Sequence, residues 1–155
     1  MKYITRSEAD TMAFAGCIAE MLADGDTVLL HGDLGAGKSV FARGVARALG
    51  VQGAMPSPTF TLMIPYQGRR ALYHYDLYRL NDPDEFYEAG LDENIGGAGV
   101  ALVEWPEMAD IDPVPRLDIT IERDPADTEK RCIEIENLAV RGFDPSRIDQ
   151  WRQTV

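Results

Sequence analysis

The sequence predicts an α/β domain with a parallel sheet nucleus, antiparallel hairpin additions and helices on both faces. Three observations predict it. A short β-branched apolar run, Thr27–His31, leads through a glycine-rich stretch into a helical pattern. A second run, Val100–Glu104, is apolar up to its last residue, as a strand buried on both faces should be. Two pairs of short segments flank the turn-forming tetrapeptides Gln67–Arg70 and Asp124–Asp127, which marks hairpins.

Taken in order, Thr5-Arg6-Ser7-Glu8 fits a capping box, with a hydroxyl at the cap and a carboxylate three residues on. Ala15, Ile18, Ala19 and Leu22 then recur at helical spacing until Gly25 ends the pattern. After the strand Thr27–His31, the segment Val40–Leu49 reads as a helix closed by Gly50. Pro56-Ser57-Pro58 is a constrained loop. Phe60–Tyr66 and Ala71–Tyr78 are expected to pair as a hairpin, and Pro83 opens a short helix over Asp84–Ala89. Arg116–Glu122 and Arg131–Asn137 alternate apolar with polar residues and form the second hairpin. The tail, Asp144–Val155, suggests one short amphipathic helix carried by Ile148 and Trp151. No internal repeat or linker interrupts residues 1–155, so a single domain is expected, with no role assigned to the tail after about residue 140.

Composition narrows the function classes. The chain has 155 residues, 45% of them hydrophobic and 26% charged, which excludes wholesale disorder. No uncharged apolar run is long enough for a membrane span, and the first ten residues lack the apolar stretch of a signal peptide. Two cysteines and two histidines leave neither a disulfide framework nor a Cys/His metal cluster. The expectation is a cytoplasmic, reduced protein. Residues 1–79 hold 8 Lys/Arg against 7 Asp/Glu, a net of +1; residues 80–155 hold 7 against 19, a net of −12, and together these give −11. Tight autonomous binding of nucleic acid needs a basic footprint, so that class is disfavoured. The near-neutral half can still hold a phosphate-sized anion.

Such a site is written into Gly32-Asp33-Leu34-Gly35-Ala36-Gly37-Lys38-Ser39, a complete G-x-x-x-x-G-K-[ST] match. Glycines let the backbone wrap a phosphate with its N–H groups inward, while the helix that follows offers the positive end of its dipole. Lys38 would reach the β/γ-phosphates, and the Ser39 hydroxyl can ligate Mg²⁺. The fold class is therefore P-loop NTPase-like. Such a protein also needs an acid for the metal or the attacking water, and two strands supply one. Glu104 ends the apolar run Ala101-Leu102-Val103, as a Walker B acid does at the carboxyl edge of a sheet. Asp76 sits in Tyr73–Arg79 on the same strand face as His74 and Tyr78. Which acid touches the metal directly is left open. The Thr59 hydroxyl, in Ser57-Pro58-Thr59-Phe60, is a candidate contact to metal or γ-phosphate. Arg79 is a candidate for added positive charge. His31 and His74 read as structural histidines, and Cys17 and Cys132 as small buried hydrophobes.

Four segments together resemble the TsaE family of small bacterial ATPases required for threonylcarbamoyladenosine modification of tRNA. They are His31–Ser39, Ser57–Phe60, His74-Tyr75-Asp76-Leu77-Tyr78-Arg79-Leu80 and Glu104-Trp105-Pro106, in the family's order and spacing over about residues 8–136. The resemblance implies that Gly32, Gly35, Ala36, Gly37, Lys38, Ser39 and Val40 bind ATP. It implies that Ser39 and Glu104 handle Mg²⁺ and hydrolysis, that Asp76 matters for turnover, and that Thr59 belongs to a nucleotide-sensitive loop. Thr11 matches a threonine of the family's first helix that lies near the nucleotide. The implied partners are the TsaD–TsaB pair, which transfers the threonylcarbamoyl group after TsaC makes its adenylate; contact with tRNA is indirect. Ser39 stands where the family more often has Thr, and the tail after about Asn137 lies outside the resemblance.

Other function classes compete with an ATPase. A small-molecule kinase needs an acceptor pocket, and no Arg-rich lid segment is visible. A GTPase lacks support because no Asn-Lys-x-Asp motif is present. A binding module that uses ATP only as structural glue is separated from an ATPase by turnover.

Overall fold

A computed structural model describes residues 1–58 and 60–154. Seven strands form one sheet: β1 (Lys2–Thr5), β2 (Thr27–His31), β3 (Met63–Gln67), β4 (Ala71–Asp76), β5 (Val100–Glu104), β6 (Arg116–Arg123) and β7 (Arg131–Leu138). Their order across the sheet is β1-β7-β6-β2-β5-β4-β3. The four central strands, β6, β2, β5 and β4, are parallel neighbours, while β3, β7 and β1 add antiparallel edges. This is the parallel nucleus with hairpin additions that the residue patterns predict.

Period-two alternation assigns the two faces. Val28 and Leu30 of β2, Leu72 of β4, Leu102 of β5 and Leu117, Ile119 and Ile121 of β6 face one core. Helices α1 (Glu8–Glu20) and α2 (Lys38–Ala48) cover it with Phe14, Ile18, Phe41 and Val45. Leu29, Tyr75, Ala101 and Val103 face the other way, against Phe86 of α3 (Pro83–Glu88) and Ala109. Short 3-10 turns occupy Leu91–Asn94, Pro106–Met108 and Pro145–Trp151. Among the described residues no helix is long and apolar enough to cross a membrane.

Several boundaries differ from expectation for local reasons. The first helix is capped by Ser7, whose Oγ accepts the Asp10 amide at 3.0 Å, while Asp10 Oδ2 accepts the Arg6 amide at 2.9 Å. The reciprocal cap therefore sits two residues later than Thr5. Thr5 ends β1, a strand not anticipated, and its buried hydroxyl bonds that of Thr11 at 2.6 Å. The hairpin strands are trimmed to Met63–Gln67 and Ala71–Asp76: Leu62 turns through a positive φ of 68° just before β3.

The tail folds into 3-10 turns rather than an α-helix, but the two residues expected to carry it are the ones it buries. Ile148 and Trp151 join the core under α1. The Trp151 ring meets Phe14 edge-on at 5.3 Å, and its Nε1–H donates to Asp10 Oδ1 at 2.7 Å. Trp151→Ala should therefore cost about 3–5 kcal/mol, the usual range for deleting a buried indole. Urea denaturation measures it as a lowered midpoint with unchanged slope; an unshifted midpoint would mean the tail does not stabilise the domain.

Candidate functional site

The site begins where β2 stops. His31 ends the strand, Gly32–Gly37 form the loop, and Lys38 is the first residue of α2. Two glycines are required here. Gly32 has φ +148°, and a Cβ on it would lie 2.6 Å from the Ile121 carbonyl oxygen. Gly37 caps α2 at φ +111°, where a side chain would also crowd the Arg131 guanidinium at 3.2 Å. Among the described residues no side chain caps this helix, and its first turn presents amides at the positive end of the dipole. The loop is thus a backbone cradle that only glycine leaves open.

Across from it, register brings the two acids together. Glu104 lies beside Leu30 of β2 on one side and Asp76 of β4 on the other. Both carboxylates emerge at the carboxyl end of the parallel strands, where α/β sheets form their crevices. Each is nearly buried, Asp76 at 8% and Glu104 at 6% exposed. Asp76 Oδ1 accepts the Tyr78 amide at 3.1 Å. Lys38 is buried between loop and acids, with Nζ donating to the Gly32 carbonyl at 2.6 Å and lying 3.7 Å from the centre of the Trp105 ring. Burial pushes the Lys38 ammonium below the usual lysine range, and the facing carboxylates of Glu104, Asp76, Glu107 and Asp33 pull it back up. Trp105 reaches this position through a left-handed backbone, φ +57°.

These groups line one cavity of about 380 Å³, whose walls include Gly35, Gly37, Lys38, Ser39, Val40, Ser57, Asp76, Glu104, Trp105 and Arg131. A small cleft of about 50 Å³ adjoins it through Glu8, Gly37, Val40 and Arg131, and is closed by Thr11, Thr128 and Glu129. Thr11 lies at the side cleft with Gly37 and Val40, and does not line the cavity that holds the acids. Ala36 is buried, and its carbonyl accepts the Arg131 Nε–H at 2.7 Å. Thr59 lies outside the described residues.

Two expectations need revision. Arg79 stacks over the Phe60 ring, 4.5 Å from its centre; the arginine that reaches the loop is Arg131 of β7, also bonded to the Thr128 carbonyl at 2.5 Å. Nothing in the alternation of β7 distinguishes Arg131 from a surface residue. His74 is structural only in being buried: its Nε2 meets Glu104 Oε2 at 2.7 Å. The signal was present in the shared strand face of His74 and Asp76, but the partner lies thirty residues away.

The donor set suits Mg²⁺ with a nucleotide. Among the described residues no group of three or more His, Cys, Asp or Glu side chains forms a closed metal site. Ser39, Asp76 and Glu104 instead offer a few hard oxygens, and Mg²⁺ bound alongside phosphates uses one or two carboxylates with the rest of its shell from phosphate and water.

Comparisons with known proteins show the chain's family and fold. The family model described as "Threonylcarbamoyl adenosine biosynthesis protein TsaE" matches residues 5–133. Relatives named tRNA threonylcarbamoyladenosine biosynthesis protein TsaE include that of Treponema pallidum, 40% identical over 121 residues, covering 78% of this chain and 89% of the relative. The Bacillus subtilis protein is 42% identical over 125 residues, covering 79% and 78%. That of Rickettsia conorii is 39% identical over 146 residues, covering 92% and 82%. The crystal structure of Bacillus subtilis YdiB superposes with a TM-score of 0.76 at 33% identity, covering 97% of this chain and 93% of that one. With the P-loop, the two strand-end acids and the sheet order all in place, the chain belongs to the TsaE family of threonylcarbamoyl adenosine biosynthesis proteins.

Proposed function

We propose that this chain is one cytoplasmic P-loop ATPase domain that hydrolyses Mg-ATP in support of the threonylcarbamoyladenosine modification of tRNA, acting on the TsaD–TsaB pair downstream of TsaC. The observation that carries the reading is the convergence on one cavity of Lys38, the amide end of α2 and the paired carboxylates Asp76 and Glu104. Anion-binding donors on one wall and acids on the other are what phosphoryl transfer to water requires.

The loop amides and Lys38 bind the β- and γ-phosphates, a phosphate oxygen replacing the Gly32 carbonyl as the partner of Nζ. The side cleft at Thr11 and Val40 takes the nucleoside end, and the absence of an Asn-Lys-x-Asp motif favours adenine over guanine. Ser39, with Asp76 or Glu104, would hold Mg²⁺, which would supply neutralisation of the negative charge on the phosphates. Glu104 orients a water and takes its proton while the water oxygen bonds to the γ-phosphorus. The bond from that phosphorus to the β–γ bridging oxygen breaks, leaving ADP and inorganic phosphate. Lys38 stabilises the charge on the transferring group. The acidic balance of residues 80–155 turns the domain away from bare tRNA and toward protein partners.

Phosphate release from ATP, by the isolated protein and with TsaD and TsaB added, tests the reading. Turnover is expected to require Mg²⁺ and to be greater with the partners present. Mg-ATP binding with no release in either case would favour a module that uses the nucleotide only as structural glue.

A further inference from the structure

His74 forms a buried pair with Glu104, which lines the cavity, and the ATPase steps above make no use of the histidine. His74 is 4% exposed, sits on β4 two residues before Asp76, and its Nε2 lies 2.7 Å from Glu104 Oε2. Its other ring nitrogen, Nδ1, is buried and finds no hydrogen-bond partner among the described residues.

Those facts fix how the pair is arranged. A carboxylate oxygen only accepts, so Nε2 must carry the proton that bridges to Glu104. Placing the ring proton on Nδ1 instead would set two lone pairs against each other at 2.7 Å and bury an N–H with no acceptor. The Nε2–H form leaves only a lone pair unmet at Nδ1. The acceptor thus selects the tautomer, and the ring, held in β4 between β3 and β5, fixes the acceptor.

We infer that His74 is a positioning residue for Glu104: its Nε2–H holds Oε2 and so fixes the direction in which the carboxylate faces the cavity. This inference rests on the ATPase reading and deepens it, since it says what orients the carboxylate that meets water or metal. A freely turning Glu104 could offer both oxygens to a metal or swing onto the Lys38 ammonium, whose charge it feels. Tethered at Oε2, it acts from a single place and in a single orientation. Supporting hydrogen bonds of this kind, from a neighbouring shell onto an acting carboxylate or metal ligand, are commonly worth about 10- to 100-fold in affinity or activity when removed.

Two variants and a spectroscopic readout test this. His74→Leu keeps a buried apolar group of similar length and removes the donor. His74→Gln carries an amide N–H donor the same number of bonds from Cα as Nε2. Partner-activated turnover in His74→Leu should fall about 10- to 100-fold, with Mg-ATP affinity moving much less. His74→Gln should recover most of the lost turnover. In ¹⁵N-histidine-labelled wild type, without nucleotide or metal, His74 should show the Nε2–H tautomer, and Glu104→Gln should shift its ring signals while those of His31 stay put. Wild-type turnover in His74→Leu, equal loss in folded His74→Leu and His74→Gln, or His74 ring signals indifferent to Glu104→Gln would each overturn the inference. A wild type that never releases phosphate contradicts the ATPase reading on its own, because the labelled-imidazole measurement still decides whether His74 holds Glu104.

Discussion

Glu104→Gln should retain Mg-ATP binding and lose roughly 10²–10⁴ in turnover, the usual span for a positioned acid–base group. The substitution keeps the volume and one carbonyl oxygen of a side chain that is 6% exposed, so packing changes little. It removes the charge that faces Lys38 and the oxygen that can take a proton from water. A second outcome has its own signature. If Glu104 serves chiefly as a metal ligand, the Mg²⁺ dependence moves to higher concentration and nucleotide affinity falls with it. Asp76→Asn is the internal comparison, since register sets the two acids side by side on β4 and β5, and it should show the metal-type behaviour more clearly. Single-turnover hydrolysis across a Mg²⁺ titration, with partner proteins present, reads both effects. Near-normal turnover in Glu104→Gln would transfer the catalytic role to Asp76.

Much of this account was legible in the sequence because it is local. Strand, loop and helix at Thr27–Leu49 announce themselves through a continuous apolar run, a fixed glycine spacing and helical periodicity, and the structure places α2 within two residues of expectation. Glu104 was readable because an apolar strand buried on both faces can end in a carboxylate only where the sheet opens. The edges were less legible. β1 is four residues long and has no pattern of its own; it exists because β7 offers it a ladder. The helix cap slipped from Thr5 to Ser7 because Thr5 was needed in that strand. Side chains that act across long separations left no trace in spacing. Arg131 reaches Ala36 across 95 positions and His74 reaches Glu104 across 30, and only the assembled sheet brings them together.

Lys38→Ala carries the other large expected effect. Lys38 is the only lysine between Lys2 and Lys130, and the fold buries it against its own loop, against Trp105 and opposite two acids. Burial disfavours its charge, so a nearly enclosed ammonium facing an open glycine cradle is held where an anion can use it. Removing it deletes a hydrogen bond to a charged phosphate, worth about 1.5–3 kcal/mol, or about a 10- to 150-fold loss of affinity. It also leaves Asp76 and Glu104 without the cation that offsets them. The two acids then repel the incoming polyphosphate, which adds to the loss. Calorimetric titration of Mg-ATP into wild type and Lys38→Ala, side by side and with folding verified by urea midpoint, tests most directly whether residues 32–39 form the nucleotide site. One-to-one binding by the wild type, weakened at least tenfold in Lys38→Ala, is the predicted result; equal affinity in the two proteins would contradict it.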